Sequence, residues 1–181
     1  DRGHEVHLAY WHERIEPRFA EAVARNGRLR SVLIRMKRAP GLGDLRAILA
    51  LQRYLRRHGT FDVVHGHSSK GGLLARLAAT GSGAARVYTA HAIKTLDAGL
   101  GRSARRLYAT AEYMLARMVT DAFVAVSPEE YAHVLTLGFP RALCHLIPNG
   151  VRLPPDLPDR RAARAMFDLP PDAPVVLFVG R

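Results

Sequence analysis

Three clusters along the chain carry side chains suited to chemistry, and each follows a short apolar run. The first is His65-Gly66-His67-Ser68-Ser69-Lys70-Gly71-Gly72. His65 and His67 stand two apart, so on an extended chain both rings lie on one face. Ser68 and Ser69 fall where a following helix would begin, with free N–H groups and the positive dipole end turned toward an anion. Lys70 adds a point charge. The pattern fits a site for an anionic substrate. It also fits an ordinary helix start whose glycines let helix and sheet pack closely. His91 ends the next apolar run and could complete three imidazoles around a metal, but no carboxylate or thiol stands with them as a fourth ligand or as support.

The second cluster is Thr89-Ala90-His91-Ala92-Ile93-Lys94-Thr95-Leu96-Asp97. His91 precedes a long glycine-bearing loop, and such loops carry function more often than cores do. The third group is Ser127 with Pro148-Asn149-Gly150. Ser127-Pro128-Glu129-Glu130 reads as a helix start, with Ser as cap, Pro in the first turn and Glu three positions on. Any ligand contact of Ser127 would be additional to that cap. Asn149-Gly150 reads as a turn. Gly81-Ser82-Gly83 precedes a strand rather than following one and is no dinucleotide fingerprint, and the chain has no P-loop, GxSxG, HExxH or CxxC pattern. Cys144 sits in an apolar run, where it acts as a small apolar residue.

The elements that must position these residues alternate. Strands are predicted at Val6 to Tyr10, Ser31 to Met36, Asp62 to His67, Arg86 to Ala90, Ala122 to Val126 and Leu143 to Ile147. Between them the 3.6-residue period predicts helices. One covers Glu16 to Asn26. Another follows Asp44 as N-cap and turns Leu45, Ile48, Leu49, Leu51 and Leu55 inward. A third runs from about Lys70 to Thr80. A fourth opens at Ser103 with Leu107, Ala111, Met114, Leu115 and Met118 on one face, and a fifth runs from Ser127 to Gly138. This is an α/β pattern: a Rossmann-like parallel sheet with helices on both faces. In such sheets ligands gather at the carboxyl ends of the strands, where all three clusters fall.

From residue 153 to 174 the texture changes to prolines around one basic helical stretch, Asp159 to Phe167, which reads as a linker. Val175 to Gly180 then reads as the first strand of another domain. The expected division is 1–152, 153–174 and 175–181, with the chain a piece of a longer protein.

The chain has 181 residues, 48% of them hydrophobic and 24% charged. That composition excludes a disordered tail, a collagenous repeat and a coiled coil. No apolar run approaches the ~20 residues of a membrane helix. A single cysteine cannot close an internal disulfide, which excludes a stapled secreted scaffold and points to a reducing compartment. Lys and Arg together number 27 against 16 Asp and Glu, a net charge of +11. Such a balance favours phosphate-bearing partners: nucleic acid, an anionic membrane surface or a phosphorylated substrate. Coding bias toward Ala and Arg explains part of it equally well.

Six segments occur in an order that resembles a known family: Arg2-Gly3-His4-Glu5-Val6, Asp62 to Ser68, Val87 to His91, Ala125-Val126-Ser127, Ile147 to Val151, and Val176 to Arg181. Together they resemble the N-terminal half of family 4 glycosyltransferases, retaining GT-B enzymes of bacterial polysaccharide, lipid and cell-envelope synthesis. The resemblance implies two Rossmann-like domains across a cleft, the first binding the acceptor and the second a nucleotide-sugar donor. It implies hexosyl transfer with retention, no metal requirement, and no cofactor beyond the nucleotide-sugar substrate. It places His91 in the cleft beside the donor sugar as the catalytic residue. It turns His67, Ser68, Ser69, Lys70 and Ser127 toward the acceptor. Asn149 and Gly150 become the interdomain segment, and Gly180 and Arg181 contact the donor diphosphate, which suits a guanidinium. Many relatives read Pro-His-Gly where this chain has Ala90-His91-Ala92, which leaves the acceptor open. The family's glycine-rich first strand would precede Asp1 and its donor-holding lysine and carboxylate would follow Arg181, so this stretch alone is expected to be inactive.

The implied partners are a nucleotide-sugar and a glycan or lipid-linked acceptor, and the implied place is the cytoplasm or its membrane face. A nucleotide-sugar epimerase of the same architecture is one alternative. A basic nucleic-acid-binding domain is another, disfavoured because no such motif appears and the arginines scatter over several helices. Gly101 to Met118 joins Arg102, Arg105, Arg106 and Arg117 to an apolar face. It reads either as a core helix with a solvated basic side or as a helix lying on anionic lipid.

Overall fold

The computed structural model describes residues 3–11, 17–27, 29–36, 41–151 and 155–178. Residues 1–148 form one compact unit and 149–181 a second.

In the first unit β1 (Val6–Tyr10), α1 (Pro17–Arg25), β2 (Leu29–Leu33), α2 (Gly43–Arg57), β3 (Val63–His67), α3 (Ser68–Ala78), β4 (Ala85–Thr89), α4 (Arg102–Met118), β5 (Ala122–Ala125), α5 (Pro128–Thr136) and β6 (Cys144–Leu146) follow in turn. The expected α/β alternation and parallel pairing are present. The strands pair as two parallel sheets among the described residues, β1-β2 and β3-β4-β5-β6. The register sets His67 opposite Thr89 and Ala125 opposite Leu146. Strands β3 to β6 are added in one direction, so right-handed crossovers put α3, α4 and α5 on a common face.

The main core lies under β4, β5 and β6. Tyr88, Phe123, Phe139, Val134, Ala116 and Cys144 are buried together, with Phe123 edge-on to both Tyr88 and Phe139 at 5.3 and 5.1 Å. A smaller cluster joins β2 to the helices through Ile34, Ala47 and Leu74. His7 on β1 donates to or accepts from the Tyr54 hydroxyl of α2 at 2.8 Å and meets the Phe61 ring edge-on at 4.9 Å.

Several local expectations shift. β2 starts two residues before the predicted Ser31. Asp44 is not the N-cap of α2: the cap position is Leu42, and Asp44 sits in the first turn, its carboxylate accepting from the Gly41 N–H at 3.1 Å. The buried stripe of α2 is Ala47 and Leu55, with Ile48 and Leu51 half-buried, because the helix turns that side to α3. Leu45 and Leu49 point to solvent. The largest departure is α4, capped at Gly101 rather than Ser103. Its buried side is Glu112 and Ala116, whereas Leu107, Met114 and Met118 are exposed, Leu107 by 70%. The helix is rotated away from its apolar stripe because a buried arginine on α3 demands the Glu112 carboxylate.

That arginine is Arg76, fully buried. Its guanidinium donates to Gly72 O at 2.9 Å, Thr120 Oγ1 at 3.1 Å and Glu112 Oε2 at 3.1 Å, and lies 4.0 Å over the Tyr88 ring. Tyr88 completes the set by donating to Glu112 Oε1 at 3.1 Å. A buried cation costs little only when paired and hydrogen-bonded on this scale. The network clamps α3, β4 and α4 together.

In the second unit α6 (Arg160–Met166) is capped by Asp159, whose carboxylate accepts from Ala162 N–H at 2.8 Å. Arg164 donates to the carbonyls of Pro170 and Ala173, the latter at 2.7 Å. Val175 to Phe178 form no ladder among the described residues, and Val176, Leu177 and Phe178 are exposed, since a strand without a neighbour has no hydrogen-bond partner to hold it.

Candidate functional site

The carboxyl ends of β3, β4 and β5 open on one edge of the four-stranded sheet, and the predicted residues gather there. α3 begins at Ser68 with no loop between strand and helix. The abrupt turn is taken by Ser68 itself, whose φ of 64° is left-handed. Beyond the end of the adjacent strand, His91 has φ 59°. Each such non-glycine residue costs on the order of 1 kcal/mol. Strain of this kind gathers where side chains are aimed for function.

The close approach of α3 to the sheet explains the glycines. A Cβ on Gly72 would fall 2.2 Å from the Tyr88 ring, and one on Gly66 would fall 2.6 Å from the Gly72 Cα. Gly71 has no such constraint, with only Ser68 Oγ at 3.6 Å.

The histidines meet. His67 Nδ1 lies 2.9 Å from His91 Nε2, with the ring planes 19° apart and the centroids 5.1 Å apart. His65 Nε2 lies 2.8 Å from Thr89 Oγ1, and its ring sits 4.1 Å from that of His67. Burial first, then the nearby imidazoles, depress the basicity of His65, to a pKa of about 4. His67 is lowered by burial and then by His91. His65 and His67 are therefore neutral at pH 7. These rings bind one another and Thr89 rather than facing a common point, and no group of three His, Cys, Asp or Glu among the described residues is disposed to hold a metal ion.

Lys70 does not stand as a free charge. Its ammonium lies 2.7 Å from Asp44 Oδ1 of α2, both side chains largely buried. Ser69 lies against the Tyr88 hydroxyl, whose pKa is pushed up by burial and then by Glu112. Ser127 caps α5: its Oγ accepts from Glu130 N–H at 3.1 Å. The Glu130 carboxylate reaches back to Val126 N–H at 2.8 Å, one residue before the usual partner. Asn149 and Gly150 are exposed and belong to the second unit. Gly180 and Arg181 lie outside the described residues.

The loop after His91 is tied down by residues that sequence reasoning passed over. Ile93 is in the core. Thr95, buried, hydrogen-bonds His133 Nε2 of α5 at 2.7 Å. Arg105 of α4 donates to the carbonyls of Thr95, Asp97 and Leu100 at 2.7, 3.0 and 3.2 Å. In sequence Arg105 was one of four basic residues on a helix face, and only the loop's path shows that three carbonyls need it.

The edge thus offers imidazoles, hydroxyls and the N-terminus of α3, which no side chain caps. That is a surface for binding and orienting hydroxyl-rich or anionic molecules; the one hydroxyl described against an imidazole at this edge, Thr89 on His65, is buried. Two solved structures share the fold. The crystal structure of Anabaena Alr3699/HepE in complex with UDP is 16% identical over 85% of this chain and 40% of its own, with a TM-score of 0.60. The same protein in complex with UDP and glucose is 15% identical over 91% and 50%, again with a TM-score of 0.60. This chain therefore spans half or less of the length of the structures it matches. No curated protein sequence matches it. Residues 1–150 match the model of the glycosyl transferase 4-like domain, a span that takes in the whole first unit and with it the strand-end edge just described, and the chain belongs to that family.

Proposed function

We propose that this chain is the acceptor-binding part of a retaining hexosyltransferase, which moves a hexosyl group from a nucleotide-sugar to a glycan, lipid-linked or small phosphorylated acceptor. The observation that carries this reading is the hydrogen-bonded His67–His91 pair at the carboxyl edge of the parallel sheet of a glycosyl transferase 4-like domain. A protein of the same fold that holds UDP and glucose supports a nucleotide-sugar as donor.

In this reading His91 hydrogen-bonds the transferring sugar. Its neutral surroundings suit that role better than proton storage. His67, Ser68, Ser69 and Ser127 face the acceptor, and Lys70 holds α3 to α2 while lending positive potential to the edge. Asn149, Gly150, Gly180 and Arg181 serve the donor and the interdomain segment. Charge on the departing diphosphate is met by basic groups and helix N-termini, so the reaction needs no metal ion.

The exposed side of α4 adds a membrane reading. Leu107, Met114 and Met118 form one apolar ridge, Arg106 and Arg117 are exposed along its flank, and Arg102 is exposed in the first turn. The helix's single acid, Glu112, is turned inward on Arg76. An apolar ridge flanked by uncompensated arginines is complementary to an anionic lipid surface. It suits a lipid-linked acceptor and a place on the cytoplasmic membrane face. No described helix is long and apolar enough to cross a membrane.

The test of the transferase reading is acceptor-dependent release of a nucleoside diphosphate by the full-length enzyme from a panel of nucleotide-sugars. Turnover of one donor with retained anomeric configuration is expected. Interconversion of the sugar with no transfer would overturn the reading in favour of an epimerase.

A further inference from the structure

The contact between His67 and His91 has a specific geometry. The ring planes are nearly parallel, and the centroid separation of 5.1 Å exceeds the 2.9 Å N···N distance by about two ring radii. The rings therefore lie edge to edge in nearly one plane, as an in-plane nitrogen lone pair requires. Imidazoles at functional sites are commonly oriented by a carboxylate or a backbone carbonyl, which also favours the charged ring. Here the orienting group is another imidazole. No carboxylate forms an ion pair with either ring among the described residues. The other imidazole at the pair is His65, tilted 31° to the His67 ring and engaged with Thr89.

We infer that His67 is a positioning residue for His91, the two rings acting as one hydrogen-bonded unit that holds the His91 ring toward the sugar and couples its tautomer to that of His67. This deepens the transferase reading and rests on it. The proton count makes the consequence definite. If His67 Nδ1–H donates, His91 Nε2 accepts and His91 carries its proton on Nδ1. If His91 Nε2–H donates, His67 Nδ1 accepts and His67 carries its proton on Nε2. Both rings thus always share one tautomer, Nδ1–H or Nε2–H. In either state the two remaining nitrogens, His91 Nδ1 and His67 Nε2, are one donor and one acceptor. That pairing suits neighbouring sugar hydroxyls, one accepting and one donating. A second proton on the pair would set N–H against N–H and break the bond, so the unit works only while it holds no more than one extra proton.

The experiment has two arms on the full-length enzyme. Long-range nitrogen–proton NMR of the imidazoles reads the tautomers directly: the same tautomer at His67 and His91 is expected at pH 7.5, and opposite tautomers would overturn the inference. In the second arm, His67→Phe keeps a flat ring but no nitrogen, while His67→Asn keeps a polar atom near the place of Nδ1. His67→Phe is expected to lower kcat about 10- to 100-fold, the range for groups that orient a working imidazole. His67→Asn should recover most of it, with melting temperatures compared throughout. Equal losses in both variants, or full activity in His67→Phe, would count against a positioning role. If His67→Phe fails to fold, the Asn variant and the wild-type spectrum still decide. Failure of the transferase reading looks different: His91→Ala would then be without effect while the shared tautomer persisted.

Discussion

At the scale of single residues, the burial of His65 links structure to pH. His65 titrates near 4 in the folded chain because burial and then His67 and His91 oppose its charge. Unfolded, it would titrate near 6.5. Between those values the unfolded state binds more protons, so stability is fully present above about pH 6.5 and is lost as pH falls toward 4. The melting temperature of the wild type should therefore drop over that interval. His65→Gln, which keeps a hydrogen-bonding group for Thr89 but cannot charge, should flatten the drop. An unchanged slope would show that His65 is not the group responsible. The histidines themselves were legible in the sequence, since their spacing and strand-end position are properties of the chain. Their pairing was not. It depends on the register that sets His67 beside Thr89 and on the left-handed turn at His91, and neither leaves a mark in residue types.

At the scale of elements, two features hold the edge in place. α3 lies so close to β4 that Gly72 has no room for a methyl group. Gly72→Ala should cost about 1–3 kcal/mol or more by overpacking against Tyr88, measured by denaturant unfolding, whereas Gly71→Ala should be nearly silent. Equal effects would mean that helix propensity, not the close approach, decides. The second feature is the buried Arg76–Glu112 pair. Glu112→Leu alone leaves an uncompensated guanidinium and should cost about 3–5 kcal/mol. Arg76→Met combined with Glu112→Leu should recover most of that loss. A double variant as unstable as the single one would contradict the argument. The sequence puts Leu107, Ala111, Met114, Leu115 and Met118 of α4 on one apolar face, and that stripe reads either as a core contact or as a lipid-facing ridge. In the fold Leu115 is half-buried while Leu107, Met114 and Met118 are exposed, and the buried side is Glu112 and Ala116. The Arg76–Glu112 pairing was not legible, because long-range ion pairs carry no periodicity. By contrast α5, with its Ser127 cap and its Gly138 terminator at φ 83°, follows local rules and was legible almost to the residue.

At the scale of the whole molecule, the alternation of short strands and helices specified the α/β class, because parallel pairing needs crossovers and buries strands on both faces. The net charge of +11 is distributed unevenly in its consequences. Arg76 is spent in the core, Arg86 is held by Asp121 at 2.7 Å, and Arg105 pins a loop. Arg102, Arg106 and Arg117 of α4 remain exposed, the last two along the flank of its apolar ridge. Flotation with vesicles of anionic lipid should retain the full-length enzyme, less so at high salt, and not with neutral lipid. Replacing the three arginines by Gln, or Leu107 and Met118 by Ser, should release it without changing the melting temperature. Binding indifferent to lipid charge would remove the membrane reading and leave the transferase reading intact.

In the proposed transfer, His91, held by His67 at the carboxyl edge of the sheet, acts on the transferring sugar. The most direct measurement is the rate of sugar transfer by full-length wild type and His91→Ala, taken with the melting temperature of each. A loss of about 100-fold or more in kcat, the scale of removing one well-placed polar contact to the transition state, with the melting temperature nearly unchanged, is the predicted result. A variant that melts far lower yet still transfers sugar at a comparable rate would make His91 a structural histidine and contradict the claim.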